Sequence, residues 1–289
     1  GYALTKCSGL YSKGDIDTLR GGLFRNQMDF VFALPRYETI YGGNLIVYIA
    51  ETACVATLTG EAKYVHLCYN YLKTCVENYC YTKDGVTAES PAYFFTYIAG
   101  LGRLFLPYMG YSDPPGYGDG FTGQHLENVS VYKDFQREQD IIKLGQKNAM
   151  MVQYPDGSIP SIHDTFSNLL KTQLNLVNKF SDTNTIFNNC EDMIFDGMGD
   201  AVLGNGSFNE KVQTILHYSE DALGHSHQDG LNLLFNVFGR QMLDDIGYNR
   251  SALKFYVSYS FAHNLVLVDR TNQNMAATGQ QTNGSVDYY

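Results

Sequence analysis

The sequence predicts an α+β protein of more than one domain, a helical part followed by an antiparallel β part. Three observations carry that expectation. The chain has 289 residues, more than one average domain. Its first two thirds repeat apolar residues at helical spacing. After about Asn189 the pattern changes to short apolar stretches separated by turns. Helices first and strands afterwards imply segregated domains, here residues 1–190 and 191–289.

From Asn44 the apolar residues Leu45, Ile46, Val47, Ile49, Ala50, Ala53, Cys54 and Leu58 fall on one broad helical face, and Gly60 supplies a stop. The spacing predicts a second helix over about 62–79, with Val65, Cys68, Tyr69, Leu72 and Val76 inward. A third begins after Pro91 and ends near Pro107. Successive helices with short connections suggest an α/α toroid or bundle. The Gly- and Pro-rich segment 110–123 reads as an irregular loop, 131–151 as another helix, and 154–158 as a turn. Strands are expected at 201–203, 212–218, 231–238, 242–245 and 263–269, with Gly239-Arg240-Gln241 as a hairpin turn. Five or six strands are fewer than a two-sheet sandwich usually needs. A further stretch of chain or another polypeptide is therefore expected to complete it.

Composition narrows the function. A formal charge of -10 with no cluster of Lys and Arg argues against nucleic-acid binding. No apolar run approaches the ~20 residues of a membrane helix, so no membrane partner is expected. The six cysteines include no CxxC pair and read mostly as small buried hydrophobes. With 23 Tyr and no Trp, any aromatic floor of a sugar site must be built from Tyr or Phe.

The sharpest local feature is Gly224-His225-Ser226-His227-Gln228-Asp229-Gly230, between two expected strands. In an extended segment His-x-His directs both imidazoles to one face, which suits a metal, or one metal ligand beside one catalytic base. The next strand ends in Asp244-Asp245 and a later one opens with His263-Asn264. Two histidines and a carboxylate from neighbouring strands form a zinc-type set. His66, His125 and His217 have no motif around them and read as ordinary residues.

These pieces, in this order, resemble the β-domain of the heparinase II/III-like polysaccharide lyases. There a GHxHxD segment is followed by D-x-G-Y, then by His-Asn opening a valine-rich strand that closes in V-D-x-x-N-Q. The matches here are Gly224 to Asp229, Asp245-Ile246-Gly247-Tyr248, His263-Asn264 and Val268-Asp269-Arg270-Thr271-Asn272-Gln273. In the helical part, Asp84-Gly85 through Glu89-Ser90-Pro91-Ala92-Tyr93 is similar to the segment holding the family's catalytic tyrosine. Gly43-Asn44 is similar to the opening of a helix that binds the uronate carboxylate. The stretch from Pro155 through His163-Asp164-Thr165 is similar to a PDG...P...D-[ST] segment. Phe94 and Leu45 stand where the family often has histidine. The resemblance spans about residues 36–273.

The resemblance implies an N-terminal α/α toroid followed by a β-sandwich, and cleavage of uronate-containing polysaccharide, alginate or glycosaminoglycan, by β-elimination. It implies Tyr93 and His225 as the acid and base, and Asn44 as the amide that stabilises the enolate-like intermediate. Glu89 and His163 would assist substrate binding. His227, Asp245 and His263 would hold a zinc ion in a structural role, Asp245 being chosen over Asp244 for its D-x-G-Y context. A uronyl C5-epimerase and a non-catalytic carbohydrate-binding protein are the alternatives. A polymeric substrate leads to the expectation of a periplasmic or extracellular location.

Overall fold

The computed structural model describes residues 8–33, 43–74, 76, 84–85, 90–93, 105–120, 122–154, 158–165, 192–206, 210–219, 225–248, 253–273 and 286. The chain divides into two compact units, one formed by residues 1–76 and 100–138, the other by 77–99 and 139–289.

The first unit is helical. Ser12 and Asp15 form a reciprocal capping box that starts α1 (Lys13–Thr18). A π-helical stretch, Leu19–Arg25, carries the chain on into α2 (Asn26–Ala33). α3 (Gly43–Thr59) ends at Gly60, whose φ of 72° is the left-handed conformation that glycine adopts without a Cβ penalty. The orphan carbonyl of Thr59 accepts a hydrogen bond of 2.5 Å from the Arg20 guanidinium. α4 (Ala62–Thr74) packs on α3. The buried alanines Ala50, Ala53 and Ala56 keep the contact face of α3 small, while Val65, Cys68, Tyr69 and Leu72 supply bulk from α4. Cys68 is buried as expected, whereas Cys54 is exposed.

Tyr69, Phe105, Tyr108 and Phe135 form an aromatic core with ring centroids 4.8 to 5.6 Å apart. The Gly- and Pro-rich loop contains no regular element among its described residues, yet it is ordered around one carboxylate. Asp113 lies 2.9 Å from His66 Nε2 and accepts from the Leu126 amide at 2.6 Å and from Tyr111 at 3.1 Å. The expected helix over 131–151 is broken at Phe135 into α5 (Val131–Asp134) and α6 (Gln136–Met151).

The second unit is built on a five-stranded antiparallel meander in the order β1-β2-β3-β4-β5: Met193–Phe195, Asp200–Asn205, Val212–His217, Asn232–Val237 and Arg240–Leu243. Period-two alternation buries Gln213, Ile215 and His217 on β3 and Asn232, Leu234 and Asn236 on β4. The buried face is therefore largely polar, which a sheet packed only for stability would avoid. The β4–β5 turn is Phe238-Gly239, with φ of 52° and 73°, and Arg240 already pairs with Val237. The turn thus falls one residue earlier than the sequence suggests, because Gly239 is best used inside a two-residue turn.

The strand expected at 263–269 is not formed. Residues 260–262 make a 3-10 turn after α7 (Lys254–Val257), Val266 and Val268 are exposed, and Asp269 and Arg270 have φ of 54° and 55°. A valine-rich run becomes a strand only where a neighbour accepts its ladder. Here the backbone link to the sheet is Leu233 N–H to Asn264 O, 3.0 Å. The expected 242–245 strand likewise stops at Leu243.

The Asp84-Gly85 turn shows why that dipeptide is needed. Gly85, with φ of 73°, lies so close to α6 that a Cβ would fall 2.5 Å from Ile141 O and Gly145 N. Asn148 donates to Asp84 O at 2.7 Å, and the Asp84 carboxylate accepts from Gly197 N at 2.5 Å. The turn leading towards Tyr93 is thereby tied to both helix and sheet.

Candidate active site

Four described segments of the second unit meet at the end of the sheet: 158–165, 225–231, 244–248 and 260–264. Backbone bonds lock them together. Asp164 N–H donates to His225 O (3.0 Å), Tyr248 N–H to Thr165 O (3.0 Å) and Gln228 N–H to Ser258 O (2.8 Å). The Gln273 side chain folds back on the histidine loop, accepting from Gly230 N–H at 3.0 Å and donating to Gly230 O at 2.6 Å. That pairing gives the terminal glutamine of the V-D-x-x-N-Q stretch a physical purpose. Ala92 N–H donates to Thr165 Oγ1 at 3.3 Å, which fixes the short helical turn carrying Tyr93.

Tyr93 and His225 are brought together. Their rings stack with centroids 3.8 Å apart and planes 19° from parallel. The His225 side chain is 32% exposed, and its Nδ1 lies 2.9 Å from Asp164 Oδ2. The other oxygen of Asp164 lies 3.0 Å from His227 Nε2. One carboxylate therefore holds both histidines of the His-x-His pair. Burial works to raise the Asp164 pKa, but the hydrogen bonds to His225 and His227 prevail and bring it down to about 2. The two imidazoles share a side for a reason other than strand alternation, because His225 has φ of 54° and lies outside any strand. A left-handed non-glycine residue costs on the order of 1 kcal/mol or more, and its persistence here marks a position fixed by its surroundings.

His227 is buried, and its Nδ1 has no hydrogen bond. His263 is also buried, with Nδ1 2.6 Å from Asp245 Oδ2 and Nε2 without a partner. Burial opposes the charged form of His263, but Asp245 outweighs it and raises the pKa. Unsatisfied buried polar atoms cost about 1–3 kcal/mol each, so two unpartnered imidazole nitrogens beside a carboxylate fit a metal ion. Donor atoms of His227, Asp229 and His263 lie within 4.8 Å of one another.

Asp245 stands behind His263. Its Oδ2 also accepts from Asn232 Nδ2 at 2.7 Å and its Oδ1 from Gly247 N–H at 2.9 Å, the arrangement of a carboxylate that orients a ligating histidine. Gly247, with φ of 58°, lets this turn press against Thr165 O and Ser161.

His163 is 3% exposed and faces inward, its Nδ1 2.9 Å from Asp229 Oδ1. Burial lowers its pKa. The backbone of Asn44 lies in the first turn of α3, and its side chain is outside the described residues, as is Glu89.

Asp164, Asp229 and His217, to which the sequence motifs assign no role, also belong to this cluster. Asp229 carries a visible signal, since His225, His227 and Asp229 recur with period two. His217 carries none until β-register is known: it pairs across from Asp200 on β2 and Asn232 on β4.

No protein-family model and no curated protein matches the sequence. Solved structures do. A crystal structure of heparinase III aligns over 88% of this chain and 42% of its own, with a TM-score of 0.65 and 20% identity. A second heparinase III structure aligns over 86% and 40%, at a TM-score of 0.57 and 13% identity. Heparan sulfate lyase HepC from Pedobacter heparinus aligns over 88% and 41%, at 0.57 and 14%. The chain thus shares an α+β fold with these lyases and spans about two fifths of their length.

Proposed function

We propose that this chain carries the elimination site of a polysaccharide lyase that cleaves uronate-containing polysaccharide. The observation that carries the reading is the Tyr93–His225 stack, 3.8 Å between centroids, with His225 Nδ1 held by Asp164. A phenol and an oriented imidazole beside one another are the acid and base that β-elimination requires. One of them takes the C5 proton of the uronate, the C–H electron pair forms the C4–C5 double bond, the C4–O4 bond breaks, and the other protonates O4. With Nδ1 committed to Asp164, Nε2 is the His225 nitrogen that exchanges the proton. Phenols ionise near ~10, so Tyr93 suits the acid role without perturbation. Asn44 is assigned from its motif to the uronate carboxylate, where an amide stabilises the enolate-like intermediate. Glu89 is assigned from its motif to substrate binding. His163, being buried, acts on the site from behind and does not contact the sugar.

A zinc ion suits His227 and His263, with Asp229 as the carboxylate and Asp245 positioning His263. Bound there it would fix the loop that presents His225. Deleting Asp229 would then remove the ion, whereas Asp245→Asn would weaken its binding about ten- to a hundredfold. The reverse order would return the ligand role to Asp245.

The helical unit is read as part of an α/α toroid and the sheet as part of a β-sandwich. Export to the periplasm or cell exterior follows from a polymeric substrate. Glycosaminoglycans lead the candidate substrates because the similar structures include heparan sulfate lyase, and alginate follows. The test is incubation with heparan sulfate, chondroitin sulfate, hyaluronan and alginate while following the ultraviolet absorbance of unsaturated uronate ends. Lyase action yields those ends. Exchange of the C5 proton without cleavage would make the protein an epimerase, and binding alone a carbohydrate-binding module.

A further inference from the structure

Behind the His225–Tyr93 pair lies a second convergence of buried ligating groups. His217 ends β3 with 1% of its surface exposed, and its Nδ1 lies 2.6 Å from Asp200 Oδ1. That carboxylate accepts a hydrogen bond from Nδ1–H, which in the neutral ring puts the lone pair on Nε2, a buried atom with no hydrogen bond. His163 is 3% exposed and also has a buried Nε2 without a hydrogen bond. Its ring meets that of His217 edge to face, with centroids 4.5 Å apart. Asp229 is 1% exposed. Its Oδ1 lies 2.9 Å from His163 Nδ1, its Oδ2 accepts from the His163 backbone N–H at 3.2 Å, and His163 Nδ1 accepts from the His227 backbone N–H at 3.2 Å, which leaves His163 Nε2 as the nitrogen without a partner. One donor atom from each of His163, His217 and Asp229 lies within 4.8 Å of the others.

We propose that His163, His217 and Asp229 form a second metal site, distinct from that of His227 and His263, which binds a divalent ion of the zinc type. Two imidazoles and one carboxylate suit zinc or cobalt and disfavour calcium or magnesium, which take oxygen ligands. The Asp200–His217 contact is the carboxylate–imidazole arrangement that orients a metal-binding ring. Asp229 borders both sites, so its two oxygens can face different ions. The ion cross-links three parts of the second unit: the 158–165 segment through His163, the sheet through His217, and the histidine loop through Asp229. His163 has φ of 55°, and a bond to metal would hold it there. Burial on all sides makes the site structural, with no position for substrate.

The experiment is metal stoichiometry on the whole protein, stripped with chelator and reloaded with Co²⁺, read from its visible absorption and by elemental analysis. Wild-type protein is expected to take up two equivalents, and H217Q and H263Q one each. A single wild-type equivalent that H217Q loses and H263Q keeps also supports the second site. Two results overturn it: metal uptake that H217Q leaves unchanged, or a single equivalent lost in both variants, which would mean one shared ion. Should H217Q fail to fold by circular dichroism, H163N is read in its place, and wild-type saturation at one equivalent that H163N retains overturns the proposal. No readout depends on lyase activity, so the inference can fail or stand independently of the proposed reaction.

Discussion

Both units bury a histidine against an aspartate, and the contrast between the two shows what separates a fastener from a site. In the helical unit His66 Nε2 lies 2.9 Å from both oxygens of Asp113, and the Leu126 amide and Tyr111 hydroxyl complete that carboxylate. The ring packs 5.3 Å from Tyr117, and no metal-binding group of described residues includes His66. In the second unit Asp164, Asp200 and Asp245 each hold an imidazole too, but His217 also falls in one group of ligating atoms with Asp229, and His227 and His263 in another. One pair closes a loop. Several pairs that share one carboxylate gather ligating groups within 4.8 Å of one another.

The largest effect is expected from His225→Ala, which removes a general acid or base and should lower kcat on the cleaved polymer about a thousandfold. Tyr93→Phe should do likewise. Wild-type-like product formation by either would detach the stacked pair from the chemistry. Next, His66→Ala leaves Asp113 buried without its partner and should cost about 3 kcal/mol of stability in a denaturant melt, while metal content stays unchanged. A loss of metal would erase the distinction between the two regions.

Asp164→Asn keeps the shape but not the charge that orients His225. It should lower kcat about ten- to a hundredfold with little change in KM and a shifted pH–rate profile, where a purely structural role would change stability alone. The smallest effect belongs to Gln273→Ala, which removes both bonds to Gly230 and should cost about 1–2 kcal/mol, read as faster amide exchange at Gly230. Exchange unchanged there would show that the loop holds itself.

Much of this was legible before folding. α3 and its stop at Gly60 follow from periodicity and glycine chemistry, and the strands over 200–205, 212–217 and 232–237 from alternation. The pairing of Tyr93 with His225 rested on motif context, since neither residue type alone distinguishes one tyrosine among 23. Three things were hidden because they depend on contacts across the chain. The run 263–269 has strand composition but no ladder to join. Asp245 looks like a ligand in sequence, yet its oxygens are taken by His263, Asn232 and Gly247. His217 acquires meaning only when register sets it opposite Asp200.

The most direct test of the account is the structure of the His225→Ala protein soaked with a uronate oligosaccharide. The account predicts a uronate ring lying against Tyr93, with C5 and the glycosidic oxygen facing the vacated imidazole position. A sugar bound elsewhere, with Tyr93 untouched, would contradict it.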